Sequence, residues 1–327
     1  MRGLATALML ALLPLVGCGS GDDAPLDSRA MVVELPGAMR AIDFDDIVYS
    51  QSLDRILIPA RQSGLYVVDP ATGDASRLGR LESADSADEG DGTAFVIERE
   101  QQRLDLLDAR TGRTRSSVST SAPGDYVRYV TSTRELWVTE PAATPAGIEI
   151  FSLGTGEAAA RRTGFIPVPS GPEGLQLSAS NRVAYTHAGS DVVVIDVPRH
   201  TVTSRWSTGC RGTHGFPRVD ARGGLLVASC AEDGEVVLLD ARDGRRLDTF
   251  SVGGGEALPG YSSAADDFYV RGDPGTKLAT LDASRTGFSR VEEVAVPQVG
   301  HCLTADAVGH YWTCDAERGR LLRFADR

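Results

Sequence analysis

One pattern recurs seven times along this chain and leaves few folds open. An alternating apolar run ends in Asp, or a substitute for it, and in most copies then turns through a Gly-containing loop. The copies occupy residues 65–69, 104–108, 148–152, 192–196, 235–240, 278–282 and 321–325. Their last residues are separated by 39, 44, 44, 44, 42 and 43 positions. A repeat of about 40–45 residues built from short strands has the size of one four-stranded propeller blade. Each copy is preceded by a second strand-like run rich in β-branched and aromatic residues, such as 55–58, 93–97 and 135–138. No amphipathic helical pattern stands out between them. The expected fold is all-β: a single seven-bladed β-propeller spanning residues 31–327.

A ring of blades must close. The last repeat ends directly after its third strand, so its outer strand is missing. Residues 31–35 form a spare strand-like run followed by Pro36-Gly37. They are expected to complete the last blade and to remove two exposed sheet edges. Blade two departs from the rhythm. Its innermost strand should lie within 81–92, yet Glu82, Asp85, Asp88, Glu89 and Asp91 fall there. The composition reads as a solvated acidic loop, and its spacing does not match an EF-hand.

The first residues read as an address. Arg2 is followed by an apolar stretch at 4–15, too short to span a bilayer. Next comes Leu15-Val16-Gly17-Cys18, which resembles the lipobox of bacterial lipoproteins. That resemblance implies a signal peptide at 1–17, a lipid on Cys18, and a flexible tether at 18–30. It also implies a lipid bilayer as a partner and an extracytoplasmic location on the periplasmic face or cell surface. The formal net charge of −12 argues against a nucleic acid partner. The chain reads as a monomer.

Export changes the reading of the cysteines. Beyond Cys18 there remain four: Cys210, Cys230, Cys302 and Cys314. An even number in an oxidising compartment suggests two bridges. A hairpin turn centred on Val308 would place Cys302 and Cys314 opposite one another. In blade five, a turn at Arg222-Gly223 would set Cys230 opposite about Gly215, with Cys210 folding back toward it. The expected pairs are Cys210–Cys230 and Cys302–Cys314. The wide cysteine spacing does not suit a zinc knuckle.

The strand–Asp–x–x–Gly rhythm resembles the seven-bladed YVTN and quinoprotein-like propellers of exported bacterial proteins, which are WD40-like in architecture. Within that frame, His214 and His301 occupy matching places at the starts of innermost strands, and Glu173 holds the same place in blade four. Two imidazoles and a carboxylate converging on a channel mouth suit Zn2+. The run Cys210-Arg-Gly-Thr-His214-Gly215, with Cys230-Ala-Glu-Asp233-Gly234 after it, resembles a stretch of the propeller-type periplasmic zinc metallochaperones that serve zinc importers. Only His214 and the two cysteines carry over, and residues 81–92 contain no His. Of the other histidines, His187 follows a second strand, while His200 and His310 fall in turns and read as solvent-exposed.

Enzyme signatures are sparse. The chain has no Gly-x-Ser-x-Gly, no His-Glu-x-x-His and no phosphate loop. Asp69, Asp108, Asp196, Asp240 and Asp282 recur blade after blade, which fits turn capping rather than catalysis. The leading expectation is therefore a non-enzymatic binding lipoprotein with a zinc site at the channel mouth. An envelope protein or a zinc importer component would be its partner. A protein–protein interaction scaffold and a metal-dependent, lactonase-like hydrolase are the alternatives.

Overall fold

The computed structural model describes residues 26–154 and 160–326. Cys18 and residues 1–25 lie outside them. Seven four-stranded antiparallel sheets follow one another around a ring, six of them running innermost to outermost in chain order and the seventh taking its outer strand from Met31–Glu34. The innermost strands are Val48–Ser50, Ser86–Gly90, Val127–Val130, Glu173–Leu177, Arg218–Val219, Glu256–Ser262 and Leu303–Ala305. The one described helix is a 3₁₀ turn at Arg61–Ser63.

The seven apolar repeats are the third strands of the blades, where both faces are covered. Val192 to Ile195, for example, are all buried. The fourth strands alternate instead: in Thr201–Ser207 every second residue is exposed. This is the pattern of a strand with one face on the sheet stack and one in water. Among the described residues, seven hydrophobic clusters fill the seven gaps between neighbouring blades.

The ring closes as the sequence suggests. Met31–Glu34 is the outer strand of blade seven and pairs antiparallel with Arg320–Ala325, with Val33 opposite Leu321. Val33 is only 2% exposed and packs with Ile56, Ile58 and Trp312 in the cluster between blades seven and one. The Tyr66 hydroxyl of blade one donates to the Pro36 carbonyl, tying the same segment down from the other side. Residues 26–30, the end of the expected tether, lie beside this blade. Leu26 and Ala30 pack on its core, and Arg29 pairs with Asp27 and Glu292.

Two expectations need correction. Residues 81–92 are not a solvated acidic loop: Ser86–Gly90 is the innermost strand of blade two and pairs with Thr93–Glu98. Asp88 is satisfied locally, accepting from the amides of Glu89 and Tyr129. Burial nonetheless pushes its pKa up to about 6, against the pull of Arg128. The repeated aspartates do cap turns at Asp69, Asp108, Asp196 and Asp240, each accepting a backbone amide two or three residues on. Asp282 does not, because its strand runs on to Ser284 and pairs Asp282 with Ser289.

The cysteines pair as Cys210–Cys230 and Cys302–Cys314, with Cα separations of 5.5 and 5.8 Å. Leu303 lies opposite Thr313, so Cys302 and Cys314 face one another across the first hairpin of blade seven. In blade five the residue opposite Cys230 is Thr213 rather than Gly215. The two bonded pairs point to an extracytoplasmic compartment.

Two outcomes follow. Val33→Asp would bury an unpaired carboxylate in the seam and should cost about 3 kcal/mol or more in denaturant unfolding, whereas Glu34→Gln on the exposed face should change stability by less than about 0.5 kcal/mol. An unchanged midpoint for Val33→Asp would mean that the strand does not hold the ring. Replacing both Cys210 and Cys230 by Ala should lower stability by about 3 kcal/mol, and thiol titration of the unfolded, oxidised protein should find none of these four cysteines free.

Candidate metal centre at the channel mouth

The innermost strands line the channel, and each blade presents a titratable side chain at, or within four residues before, the start of its innermost strand. In blade order these are Asp45, Asp85, Asp125, Glu173, His214, Glu256 and His301. The repeat thus sets five carboxylates and two imidazoles around one mouth. Arg61 and Arg99 offset part of the negative charge. Arg61 bonds Asp85 at 2.6 Å and Asp45 at 3.2 Å, and Arg99 pairs with Asp125 and, at 3.5 Å, with Asp45.

His214 and His301 meet, although blade six stands between their blades. Their ring centroids are 5.4 Å apart. Blade six supplies the group that joins them: Oε2 of Glu256 lies 3.3 Å from His214 Nδ1 and 3.4 Å from His301 Nδ1. One ligand atom from each of the three residues falls within 4.8 Å of the others. Zinc–ligand bonds of about 2.0–2.1 Å in a tetrahedron place neighbouring ligand atoms about 3.3 Å apart, which the two Glu256 separations match. His214 Nδ1 is buried without a hydrogen-bond partner. Such an orphaned donor or acceptor is uncommon, and a cation would satisfy it.

Glu173 stands elsewhere on the same ring. Its Oε2 is 3.9 Å from His214 Nε2, the nitrogen facing away from Glu256. It can orient that imidazole, in the way carboxylates support metal-bound histidines. Burial and the nearby Asp45 charge raise the Glu173 pKa, with His214 opposing. Burial and Asp45 also raise Asp125 well above the usual carboxylate range. His301 is held differently. Burial pulls its pKa down, but the hydrogen bond to Asp273 at 3.2 Å and the charges of Asp45 and Glu256 outweigh this and raise it.

Behind this group lies an aromatic and cationic layer. The guanidiniums of Arg128 and Arg218 both lie over the Phe216 ring, at 4.6 and 4.8 Å, and Tyr126 packs edge-on against it. Arg128 is fixed by two bonds to Asp46, at 2.8 and 2.9 Å. His187 lies fully buried below the His214 turn, its Nδ1 3.0 Å from the Gly215 carbonyl oxygen. Burial depresses its pKa to about 4, so it is neutral at ordinary pH. His200 and His310 are not free in solvent, as their turn positions suggested. His200 contacts Glu135 at 3.0 Å, and His310 opens a strand and contacts Asp306 at 2.8 Å.

Sequence reasoning missed Glu256. It stands alone after Gly253-Gly254-Gly255, with no His or Cys beside it. The signal was the matching place in blade six, legible once Glu173, His214 and His301 are aligned as starts of innermost strands. Glycine also matters here. Gly174 has φ +64°, and a Cβ on it would lie 2.2 Å from the Gly215 carbonyl oxygen. Gly174→Ala should therefore push the Glu173 and His214 turns apart and cost about 1–3 kcal/mol, measured by denaturant unfolding. An unchanged midpoint would show that the two turns yield freely.

No protein-family model matches the chain, and no curated protein matches it. Solved structures do. The chain is similar to the β-propeller domain of Cps50 (Swd1) from Myceliophteria thermophila, with a TM-score of 0.73 and 12% identity over 91% of this chain and 100% of that one. It is similar to the RRP9 WD40 repeats, with a TM-score of 0.73 and 10% identity over 94% and 100%. It is also similar to a chain of the Kuenenia stuttgartiensis hydrazine synthase, with a TM-score of 0.70 and 11% identity over 90% and 99%. At such identities the likeness establishes the fold, a seven-bladed propeller with WD40-like neighbours.

Proposed function

We propose that this protein is a non-enzymatic binding propeller of the cell envelope, lipid-anchored through Cys18, whose channel mouth holds one zinc ion. The observation that carries the reading is the convergence of His214, Glu256 and His301, with ligand atoms within 4.8 Å of one another and one buried imidazole nitrogen that makes no hydrogen bond. Two nitrogens and one carboxylate oxygen are a donor set zinc favours, and a fourth position would remain for water or a ligand from a partner. His214, Glu256 and His301 would hold the ion. Glu173, near the far nitrogen of His214, would orient that ring, Asp273 would yield its bond to His301 Nδ1 to the ion, and the surplus carboxylates of the mouth would draw cations in. The lipobox-like run and the paired cysteines support the extracytoplasmic address. Transfer of zinc to or from an importer component would suit an exposed mouth of this kind.

A second reading is a protein-interaction scaffold. It is favoured by the likeness to WD40 propellers and needs no metal. Equilibrium dialysis with zinc on the oxidised, chelator-treated protein separates the two. About one zinc should bind, and His214→Ala, His301→Ala and Glu256→Gln should each weaken it at least about tenfold, with Glu173→Gln milder. Binding no tighter than about millimolar in the unaltered protein would sink the zinc reading and leave the scaffold. Turnover of simple lactones by the zinc-loaded protein would overturn the non-enzymatic part.

A further inference from the structure

Blade three hides two carboxylates that the metal centre does not use. Glu140, the last residue of strand Glu135–Glu140, is 1% exposed, and Glu149, on strand Gly147–Ser152, is 0% exposed. Val138 lies opposite Glu149, and residues two apart share a face, so the two acids meet diagonally across one face of the sheet. Their carboxyl groups are in hydrogen-bond contact. An ionised carboxylate only accepts, so a buried contact between two of them requires a shared proton. Arg162, on the fourth strand of the blade, pairs with Glu149 and favours its ionised form. Glu140 therefore carries the proton. Burial and the Glu149 charge push its pKa up to about 7, against the Ala122 amide and Arg162.

Both acids grip the loop that enters blade three. The Ser121 amide and hydroxyl donate to Glu149 at 3.0 and 2.6 Å, and the Ala122 amide donates to Glu140 at 3.1 Å. Further along, the amides of Asp125 and Tyr126 donate to the carbonyl and hydroxyl of Thr139, at 2.8 and 3.0 Å, and that anchor does not titrate. The loop brings Pro123 and Asp125 to a cavity of about 300 Å³ at the mouth, which Glu173 and His214 also line. Blade two has a matching pair, Glu98 and Asp105, with Glu98 accepting from the Ser83 amide at 3.3 Å. There Arg103, opposite Glu98, pairs with both acids; in blade three its place is taken by Gly147, opposite Glu140.

We propose that Glu140 and Glu149 form a proton-operated clasp on the channel mouth. With the shared proton in place they hold residues 120–124. Once Glu140 releases it to solvent, the two charges repel and the first half of the loop is freed. The clasp stands whether or not a metal ion occupies the mouth. Linkage fixes the direction. In the open loop Glu140 is an ordinary glutamate with a pKa of 4.5, so opening becomes easier as pH rises from there to about 7 and changes no further above it.

Hydrogen exchange of residues 120–124 in the oxidised, chelator-treated protein, corrected for the intrinsic pH dependence of amide exchange, tests the clasp. Protection should fall at least about tenfold between about pH 5 and 7.5, then level off. In Glu140→Gln the carboxamide donates to Glu149 and accepts from Ala122 at every pH, so protection should stay high and flat. The buried residues 192–195 are the reference and should show no such fall in either protein. A flat profile in the unaltered protein would overturn the clasp, as would a fall of the same size in Glu140→Gln. A parallel fall at residues 192–195 would mean general loosening and would overturn it too.

Discussion

Everything described at the channel depends on ring closure. Seven blades hold seven side chains around one axis only while the last blade is locked against the first. That lock is a single short strand, Met31–Glu34, laid along Arg320–Ala325. Backbone pairing supplies the register. Val33 and Leu35 supply the apolar contact that makes the pairing stable in water. Cys302–Cys314 staples the first two strands of that same blade, which carries His301 beside the bond. The imidazole nearest the seam is thus fixed covalently on one side and by Asp273 on the other.

The channel changes character along its length. Near Phe216, which carries the Arg128 and Arg218 guanidiniums over its ring, a mouth dominated by carboxylates and imidazoles gives way to a cavity lined by Arg128, Gln176 and Arg218. Alternation along each innermost strand makes such a division natural. Positions near the strand start face one mouth, and positions two to four residues on face the other chamber. One repeat can therefore carry two chemistries without any change of backbone.

The fold was legible because blades repeat. Periodic third strands such as 192–195 announce themselves through apolar runs, and their spacing counts the blades. The closing strand was legible for a related reason, since a missing outer strand at one end matched a spare strand at the other. The acidic innermost strand Ser86–Gly90 was harder to read. Strand pairing needs only its backbone, and Asp88 is made tolerable by the amides of Glu89 and Tyr129 and by nearby Arg128, all supplied by the folded ring. At the mouth, His214 and His301 stood out as rare residues in matching places. Glu256 did not, because one carboxylate among many carries no signal until its position on the ring is known.

All seven junctions between blades are crossed by the chain itself, the last of them by residues 35–47, so neighbouring blades cannot drift far apart. The non-covalent seam lies inside blade seven, between Met31–Glu34 and Arg320–Ala325. Opening of the whole ring has one low-lying route, through detachment of Met31–Glu34, and the lifetime of the native protein is governed there rather than by average core strength. The same segment leads directly back toward the expected lipid anchor. A pull exerted between membrane and propeller would act first on this strand, making the seam the mechanical fuse of the molecule.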